Sequence, residues 1–257
     1  MSDVAHTVPG SAGLGGADGA IHTVRLQEAT AQPWRNGGGV TRELLAWPAP
    51  RLADTPEGPQ VQATDWAVRV SVADITQDGP FSAFPGIDRC FAVLEGDGVV
   101  LTLRGEDLHL TPDSDRLAFD GAQAPGCRLI NGPTRDLNLM VRQSAGRAWM
   151  QPAVAGQAWP PPVHLQRAPD AQPLNPPFTD SQKNGEGWTW RGLYTHGPAC
   201  LDTPDGRLKL QPGTLLWSDA ESGHTPKAGL TAPWRLVEGR QAWWLGLQAP
   251  GPEEDRT

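Results

Sequence analysis

The chain has 257 residues, a length sufficient for one large β domain or two small ones. Its formal net charge is −8 and its sequence pI is about 5.2. This acidic balance argues against a broad nucleic-acid footprint and against electrostatic attachment to an anionic membrane, both of which need clustered Lys and Arg. No apolar run approaches the ~18 residues of a membrane-spanning helix. Residues 1–22 lack the basic and apolar regions of a secretory signal, so we expect a flexible tail on a cytoplasmic protein.

The composition favours turns over helices. The sequence contains 30 Gly and 26 Pro, residues that punctuate short strands and interrupt long helices. The cysteines Cys90, Cys127 and Cys200 are far apart in the sequence and odd in number. We therefore expect no disulfide framework and no CxxC metal site, and interpret all three as small buried thiols.

Alternating patterns predict β structure in the first half. Trp66, Val68, Val70 and Val72 share one face of a strand, while Arg69 and Ser71 share the other. Residues 90–95 and 99–103 flank the turn at Gly96, Asp97 and Gly98, a pattern that predicts a β-hairpin. A further alternating strand is predicted over residues 137–141.

The second half repeats this pattern after a proline-rich stretch. Residues 152–177 predict a linker or crossover, since proline cannot donate to a sheet ladder. Strand patterns resume at Trp188, and residues 206–217 predict a strand, a turn at Gly213 and a second strand. We therefore predict an all-β fold of two packed barrels with little helix. The expected divisions are a tail 1–22, a first barrel 23–146, a crossover and second barrel 147–250, and an acidic tail 251–257.

The most unusual segment is Pro33-Trp34-Arg35-Asn36-Gly37-Gly38-Gly39-Val40-Thr41-Arg42-Glu43. It resembles the PW(K/R)NGGGxTxE signature of the HutD/Ves family. Three later blocks also resemble that family, in the same order: Trp66 with Arg69 and Ser71, residues 79–89, and residues 136–140. The resemblance extends from Pro33 to Arg142 and implies a double-cupin (bicupin) fold associated with histidine utilisation.

The sequence departs from metal-binding cupins. Those carry an HxH pair, a Glu, and then a Gly at the hairpin turn. With Gly96 as that glycine, Arg89 occupies the Glu position and the HxH pair falls within residues 82–85, which contain no His. The six histidines of the chain are widely separated. We therefore expect no metal and no other cofactor.

Polar residues on alternating strands suggest a binding site. If the Arg69 face points into the barrel, several hydrogen-bonding groups converge there, and Asp136 could fix Arg69 or Arg89. The alternative places the valine face inside and Arg69 on the surface, and period two permits both. The glycine run 37–39 is interpreted as a lip of the site or as a mobile turn or bulge. The predicted ligand-binding residues are Trp34, Asn36, Thr41, Glu43, Arg69, Ser71, Phe81, Ser82, Arg89, Asp136, Asn138 and Met140.

Three functions remain open from the sequence. The favoured one is a protein that binds a small polar or anionic metabolite, and by resemblance urocanate and formylated glutamate derivatives are candidates. The second is a metal-independent isomerase or hydrolase, for which Glu43, Asp88 and Asp136 are the candidate acids and bases. The third is a scaffold without a ligand, compatible with a homodimer because cupin sheet edges commonly pair between subunits.

Overall fold

The computed structural model describes residues 20–48, 52–55, 58–61, 66–159, 188–220 and 233–248, with backbone only for 52–55 and 58–61. The first ten strands are β1 His22–Arg25, β2 Ala31–Pro33, β3 Gly39–Trp47, β4 Leu52–Thr55, β5 Gly58–Val61, β6 Val68–Ile75, β7 Gly79–Pro80, β8 Ile87–Glu95, β9 Val99–Leu103 and β10 Glu106–Leu110. The next ten are β11 Leu117–Asp120, β12 Gly126–Leu129, β13 Thr134–Arg142, β14 Arg147–Ala153, β15 Trp188–Thr195, β16 Ala199–Thr203, β17 Gly206–Leu210, β18 Thr214–Asp219, β19 Arg235–Gly239 and β20 Ala242–Gln248.

Helical structure in the described residues is limited to two 3₁₀ turns, Leu26–Glu28 and Gln143–Ala145, and the predicted all-β fold is confirmed. No helix in this part of the chain is long and apolar enough to cross a membrane. Most of the predicted N-terminal tail and proline-rich crossover, and all of the predicted acidic tail, lie outside the described residues.

Each half of the molecule consists of a larger and a smaller sheet. In the first half a six-stranded sheet, in the order β11-β8-β13-β6-β3-β2, is accompanied by the four-stranded sheet β10-β9-β12-β7. In the second half the five-stranded sheet β1-β18-β15-β20-β14 is accompanied by the three-stranded sheet β17-β16-β19. Strands β4 and β5 form a separate two-stranded ribbon. The described strands thus form one pair of sheets in each half, apart from the β4–β5 ribbon.

The two large sheets pack face to face through one apolar cluster. It joins Val68, Val70 and Val72 of β6 to Leu245 and Leu247 of β20, together with side chains of β8, β13, β14, β15 and β18. Strand side chains alternate between faces, so the residues between these valines must point the other way, into the first barrel. Both faces of β6 are therefore covered, and the polar face lies inside.

Separate apolar clusters fill the two barrel interiors. Phe91, Leu101 and Phe119 belong to the first interior, whereas Trp159, Trp234 and Trp244 belong to the second. The neighbouring Trp243 packs between the large sheets, so the adjacent Trp243 and Trp244 place one indole on each side of β20.

The predicted hairpin at Gly96 is wrong. Strands β8 and β9 flank this turn, but β8 pairs with β11 and β13, and β9 pairs with β10 and β12. The chain instead passes from the large sheet to the small one at a corner. Gly96 and Gly98 have positive φ angles of 88° and 101°, and a Cβ would lie 2.4 Å from the Pro133 carbonyl oxygen and 2.0 Å from that of Leu110. This crowding requires glycine.

The turn at Gly213 is also a corner, because β17 pairs with β16 while β18 pairs with β1 and β15. Two further details differ from the sequence analysis. Strand β1 is hydrogen-bonded to β18 of the second half, although residues 23–25 were assigned to the first barrel. Trp66 precedes β6 and packs with Ile87 and Met140, so it does not share the valine face.

Candidate functional site

The inner face of the six-stranded sheet carries a continuous polar surface. Strand register aligns Glu43, Ser71, Asn138 and Phe91 in one row across β3, β6, β13 and β8. The neighbouring row contains Arg69, Met140 and Arg89. Residues that are directly opposite on adjacent strands present their side chains to the same face. Blocks that are far apart in the sequence therefore meet inside the first barrel.

Arg69 and Glu43 form an ion pair at the more exposed side of this surface. The Arg69 Nε donates to Glu43 Oε2 at 2.6 Å, and its Nη1 lies 3.5 Å from the Met140 sulfur. The side chains are 19% and 35% exposed, so solvent reaches both partners. A solute that enters from this side meets the pair first.

Arg89 lies deeper and is only 6% exposed. Its Nη2 donates to Asn138 Oδ1 at 2.7 Å, and its guanidinium carbon lies 5.1 Å from the ring centroids of Phe81 and Phe119 and 5.7 Å from that of Phe84. Aromatic faces stabilise a cation at these distances. Burial nevertheless lowers the pKa of Arg89 to about 10, which leaves it charged at neutral pH. Its Nε has no hydrogen-bond partner within the described residues.

Asp136 is the most deeply buried acid of the surface, at 1% exposure. Its Oδ1 accepts a hydrogen bond from Asn138 Nδ2, while its Oδ2 has no partner in the described part of the chain. Burial raises the pKa of Asp136 well above its usual 3.8, and the charge of Arg89 offsets only part of this rise. Asn138 thus links Arg89 to Asp136, and each end of the link retains one unsatisfied polar atom.

The glycine-rich segment forms a structured lip beside this surface. The Trp34 indole donates to Thr41 Oγ1 at 2.7 Å, and its ring meets that of Phe81 edge-on at 6.4 Å. The Asn36 side chain accepts a hydrogen bond from the Gly38 amide at 3.0 Å. At Gly39 a Cβ would lie 2.6 Å from the Asp74 carbonyl oxygen, so this glycine permits a close approach of two backbones.

Most of the residues predicted for the site are brought together. Thr41, Glu43, Arg69, Ser71, Arg89, Asp136, Asn138 and Met140 share the inner face of the sheet, with Trp34 and Phe81 beside it. Asn36 and Ser82 are exposed. Of the two arginines expected to contact Asp136, Arg69 pairs with Glu43 instead, whereas Arg89 is linked to Asp136 through the side chain of Asn138.

Sequence reasoning missed two of the three rings around Arg89. Phe84 was recognised only as part of the 79–89 block, and Phe119 lies in β11, a strand that the sequence pattern did not predict. Phe119 is the direct neighbour of Arg89 in the register of β11 and β8. Only the pairing of β11 with β8 could have indicated that Phe119 lies beside Arg89.

The residues of this surface do not fit the metal of a typical cupin. Two guanidinium groups occupy the space and would repel a cation, and Glu43 is already paired with Arg69. Within the described residues, no group of three His, Cys, Asp or Glu side chains could hold a metal ion. The donor set therefore favours an anion over a metal cation.

A cavity of about 270 Å³ lies elsewhere, between the two halves. Its walls include Leu94, Pro152 and Trp243, with Asp113 and Asp115 on the β10–β11 loop. It is lined by no arginine and by none of the predicted site residues. The polar surface inside the first barrel has the more specific chemistry, and we take that surface as the candidate site.

Comparison with known protein families agrees with the architecture. The HutD family model matches residues 26–164, which is more than half of the chain. A 21.2 kDa protein from the hutC 3' region of Pseudomonas putida is 35% identical over 131 residues, covering 51% of this chain and 63% of that protein. Protein Ves from Escherichia fergusonii is 32% identical over 116 residues, covering 45% of this chain and 54% of that protein. The chain thus spans less than two thirds of these relatives' length.

Solved structures extend the similarity over nearly the whole chain. The structure of HutD from Pseudomonas fluorescens SBW25, in a formate condition, has a TM-score of 0.62 and 27% sequence identity to this chain. The match covers 90% of this chain and 100% of that HutD chain. A conserved protein of unknown function from Pseudomonas aeruginosa PAO1 has a TM-score of 0.63 at 22% identity, with the same coverage. The second similarity indicates a common fold.

Proposed function

The chain belongs to the HutD family, and from this premise we propose that it binds a small carboxylate metabolite inside its first barrel and acts as a regulatory component of histidine utilisation. The observation that carries the proposal is the environment of Arg89. A charged group is expensive to bury without a partner. Arg89 has one hydrogen bond to a neutral amide and retains an unsatisfied Nε. An anion supplies the missing acceptor and a negative charge directly beside the buried guanidinium.

The depth of the two arginines supports a carboxylate that enters from the Arg69 side. Arg69 is partly exposed and paired with Glu43, whereas Arg89 is buried behind it among aromatic rings. A planar guanidinium binds a carboxylate through two parallel hydrogen bonds. Ser71, at 3% exposure, lies on the same face and offers a hydroxyl that can donate or accept. Apolar walls with a few fixed polar groups are typical of small-molecule sites.

Acid–base catalysis without a metal is the second candidate. Asp136 supports it, because burial raises the pKa of this carboxyl and perturbed acids in enclosed sites are candidates for proton transfer. Turnover of urocanate or of a formylated glutamate, followed by NMR spectroscopy, is the test that favours this candidate over simple binding.

The binding experiment compares a carboxylate with its neutral analogue. Formate, urocanate and formamide are titrated into the wild type and into Arg89→Met by calorimetry. Met fills the space between the phenyl rings with a flexible apolar chain. We expect the wild type to bind both carboxylates but not formamide, and Arg89→Met to lose at least tenfold in affinity. Arg207→Met is the matched control, since Arg207 is exposed and paired with Asp202 in the second half. Binding of formamide as tightly as formate, or equal losses in both variants, would refute the proposal.

We further propose that the protein lies in the cytoplasm, has no nucleic-acid or membrane partner, and forms a homodimer through exposed sheet edges. Sedimentation equilibrium of the full chain measures the assembly directly.

A further inference from the structure

Two buried polar atoms at the floor of the first barrel lack hydrogen-bond partners in the described residues: the Nε of Arg89 and the Oδ2 of Asp136. They belong to a single chain of hydrogen bonds, because Arg89 donates to Asn138 and Asn138 donates to Asp136. Unpaired buried atoms are rare in folded proteins, since each costs on the order of 1–3 kcal/mol. Both side chains flank Asn138 on the inner face of the six-stranded sheet, so one ligand on this face can supply a partner for both atoms.

The direction of the hydrogen bonds from Arg89 through Asn138 to Asp136 determines which oxygen of Asp136 can carry a proton. Oδ1 is engaged as an acceptor for the Asn138 amide, so a proton on Asp136 resides on Oδ2. In that state Arg89 Nε and Asp136 Oδ2 are both donors. A single carboxylate has two oxygens that can accept one hydrogen bond from each.

We propose that Asp136 is a specificity-determining residue that binds as a neutral carboxylic acid, donating its Oδ2 proton to one oxygen of the ligand carboxylate while Arg89 donates to the other. This inference rests on the proposed function and names its chemistry more closely. The site takes the carboxylate together with one proton, which comes from solvent whenever Asp136 is ionised beforehand. No covalent bond other than O–H is made or broken.

The charges around Asp136 are compatible with a neutral acid. Arg89 faces it from β8 and favours the ionised form, while Asp74 of β6 opposes ionisation. The net effect raises the pKa of Asp136, because burial outweighs the attraction of Arg89. On the four-stranded sheet, the buried Cys127 feels the charge of Asp136, and burial raises the pKa of this thiol to about 12, so it stays neutral.

The arginines near Asp136 already have other partners. Arg42 and Arg135 pair with Asp74 at 2.7 and 2.6 Å, and Arg69 pairs with Glu43 on the inner face. Arg89 is therefore the principal cation acting on Asp136. The pairs of Asp74 lower the pKa of that carboxyl although burial opposes them, so Asp74 retains its negative charge.

Ligand affinity should consequently depend on pH. Between the pKa of the ligand and the pKa of Asp136 the association constant for a carboxylate is constant. Above it, every further pH unit costs about tenfold, because each binding event must recover one proton. A carboxamide or an alcohol does not substitute for the carboxylate, since neither presents two acceptor oxygens.

The test measures formate and acetate affinity by calorimetry between about pH 5 and about pH 9. Wild type is compared with Asp136→Asn, in which an amide N–H replaces the acid O–H and Oδ1 remains an acceptor. We expect Asp136→Asn to bind, at every pH, within about threefold of the affinity that the wild type shows below the pKa of Asp136. At any pH above the pKa of Asp136, titrations of the wild type in buffers of different ionisation enthalpy should show uptake of close to one proton per ligand.

Asp88→Asn is the matched control. Asp88 lies on the opposite face of β8, and burial raises the pKa of its carboxyl too, but it is hydrogen-bonded to Gln143 at 2.9 Å. This variant should keep the pH dependence of the wild type. Loss of carboxylate binding in Asp136→Asn, a pH-dependent loss of affinity in that variant, or a wild-type affinity that falls with pH without proton uptake would each overturn the inference while the proposed function stands. Absence of carboxylate binding by the wild type at any pH would overturn the proposed function itself.

Discussion

Replacing Arg69 with alanine tests whether the guanidinium beside Glu43 holds a ligand carboxylate. The variant should bind a carboxylate more weakly by about 2–4 kcal/mol, the usual effect of removing one member of a largely buried charge pair. Arg89 remains in the site, which favours the lower half of this range. Since about 1.4 kcal/mol is tenfold in Kd, the whole range corresponds to roughly 30- to 1000-fold.

The effect on folding should be much smaller. Glu43 is 35% exposed and can be rehydrated once its partner is removed, so the pair contributes about 1 kcal/mol or less to stability. Glu43→Gln should act in the opposite direction on binding. It removes a negative charge 2.6 Å from the Arg69 Nε and should strengthen carboxylate affinity severalfold, because Glu43 competes with the ligand for the guanidinium.

The assay is calorimetric titration of formate and urocanate, with urea denaturation of each variant in parallel. Arg135→Ala is the control, because Arg135 also contacts a carboxylate at 2.6 Å but is bound to Asp74 and Glu95 outside the candidate site. It should lose stability and keep its affinity. Wild-type affinity in Arg69→Ala, or equal losses in Arg69→Ala and Arg135→Ala, would contradict the assignment of Arg69 to the site.

Three further variants test the fold. Leu139→Ala removes a fully buried side chain between the two large sheets and should lower the free energy of unfolding by about 3–5 kcal/mol, measured by urea denaturation. Trp47→Phe removes the 2.8 Å hydrogen bond to Asp219 that links the two halves, for an expected loss of about 1 kcal/mol in the same assay. Asp136→Asn should be increasingly more stable than the wild type as pH rises from 3.8 toward the elevated folded pKa of Asp136, measured by denaturation at several pH values.

The direction in which the stability contribution of Asp136 changes with pH follows from proton linkage. A carboxyl whose folded pKa is raised contributes stability below its unfolded pKa, and this contribution is lost as pH rises through the folded value. Asparagine does not ionise, so the stability curve of the variant lacks this decline, and parallel curves for variant and wild type would contradict the prediction.

Ile130→Ala is the control for Leu139→Ala. Ile130 is 41% exposed, so its replacement should lower the free energy of unfolding by less than about 1 kcal/mol.

The order of polar and apolar residues already determined the fold class and much of the candidate site. Alternation with period two shows which side chains share a face, and so it grouped Arg69 with Ser71. The 33–43 segment and the later blocks indicated the family, which the HutD match at residues 26–164 confirms. The departure of Arg89 from the cupin ligand pattern was visible in the same way.

Only the tertiary structure decided which face is inside and which residues meet. Both faces of β6 are covered, one by the second half and one by its own barrel, so burial alone could not distinguish them. The turns at Gly96 and Gly213 became corners because strand pairing depends on contacts that are distant in the sequence. The same long-range register decides that Glu43 rather than Asp136 holds Arg69, and that Arg89 and Asp136 each keep an unpaired atom at the floor of the barrel.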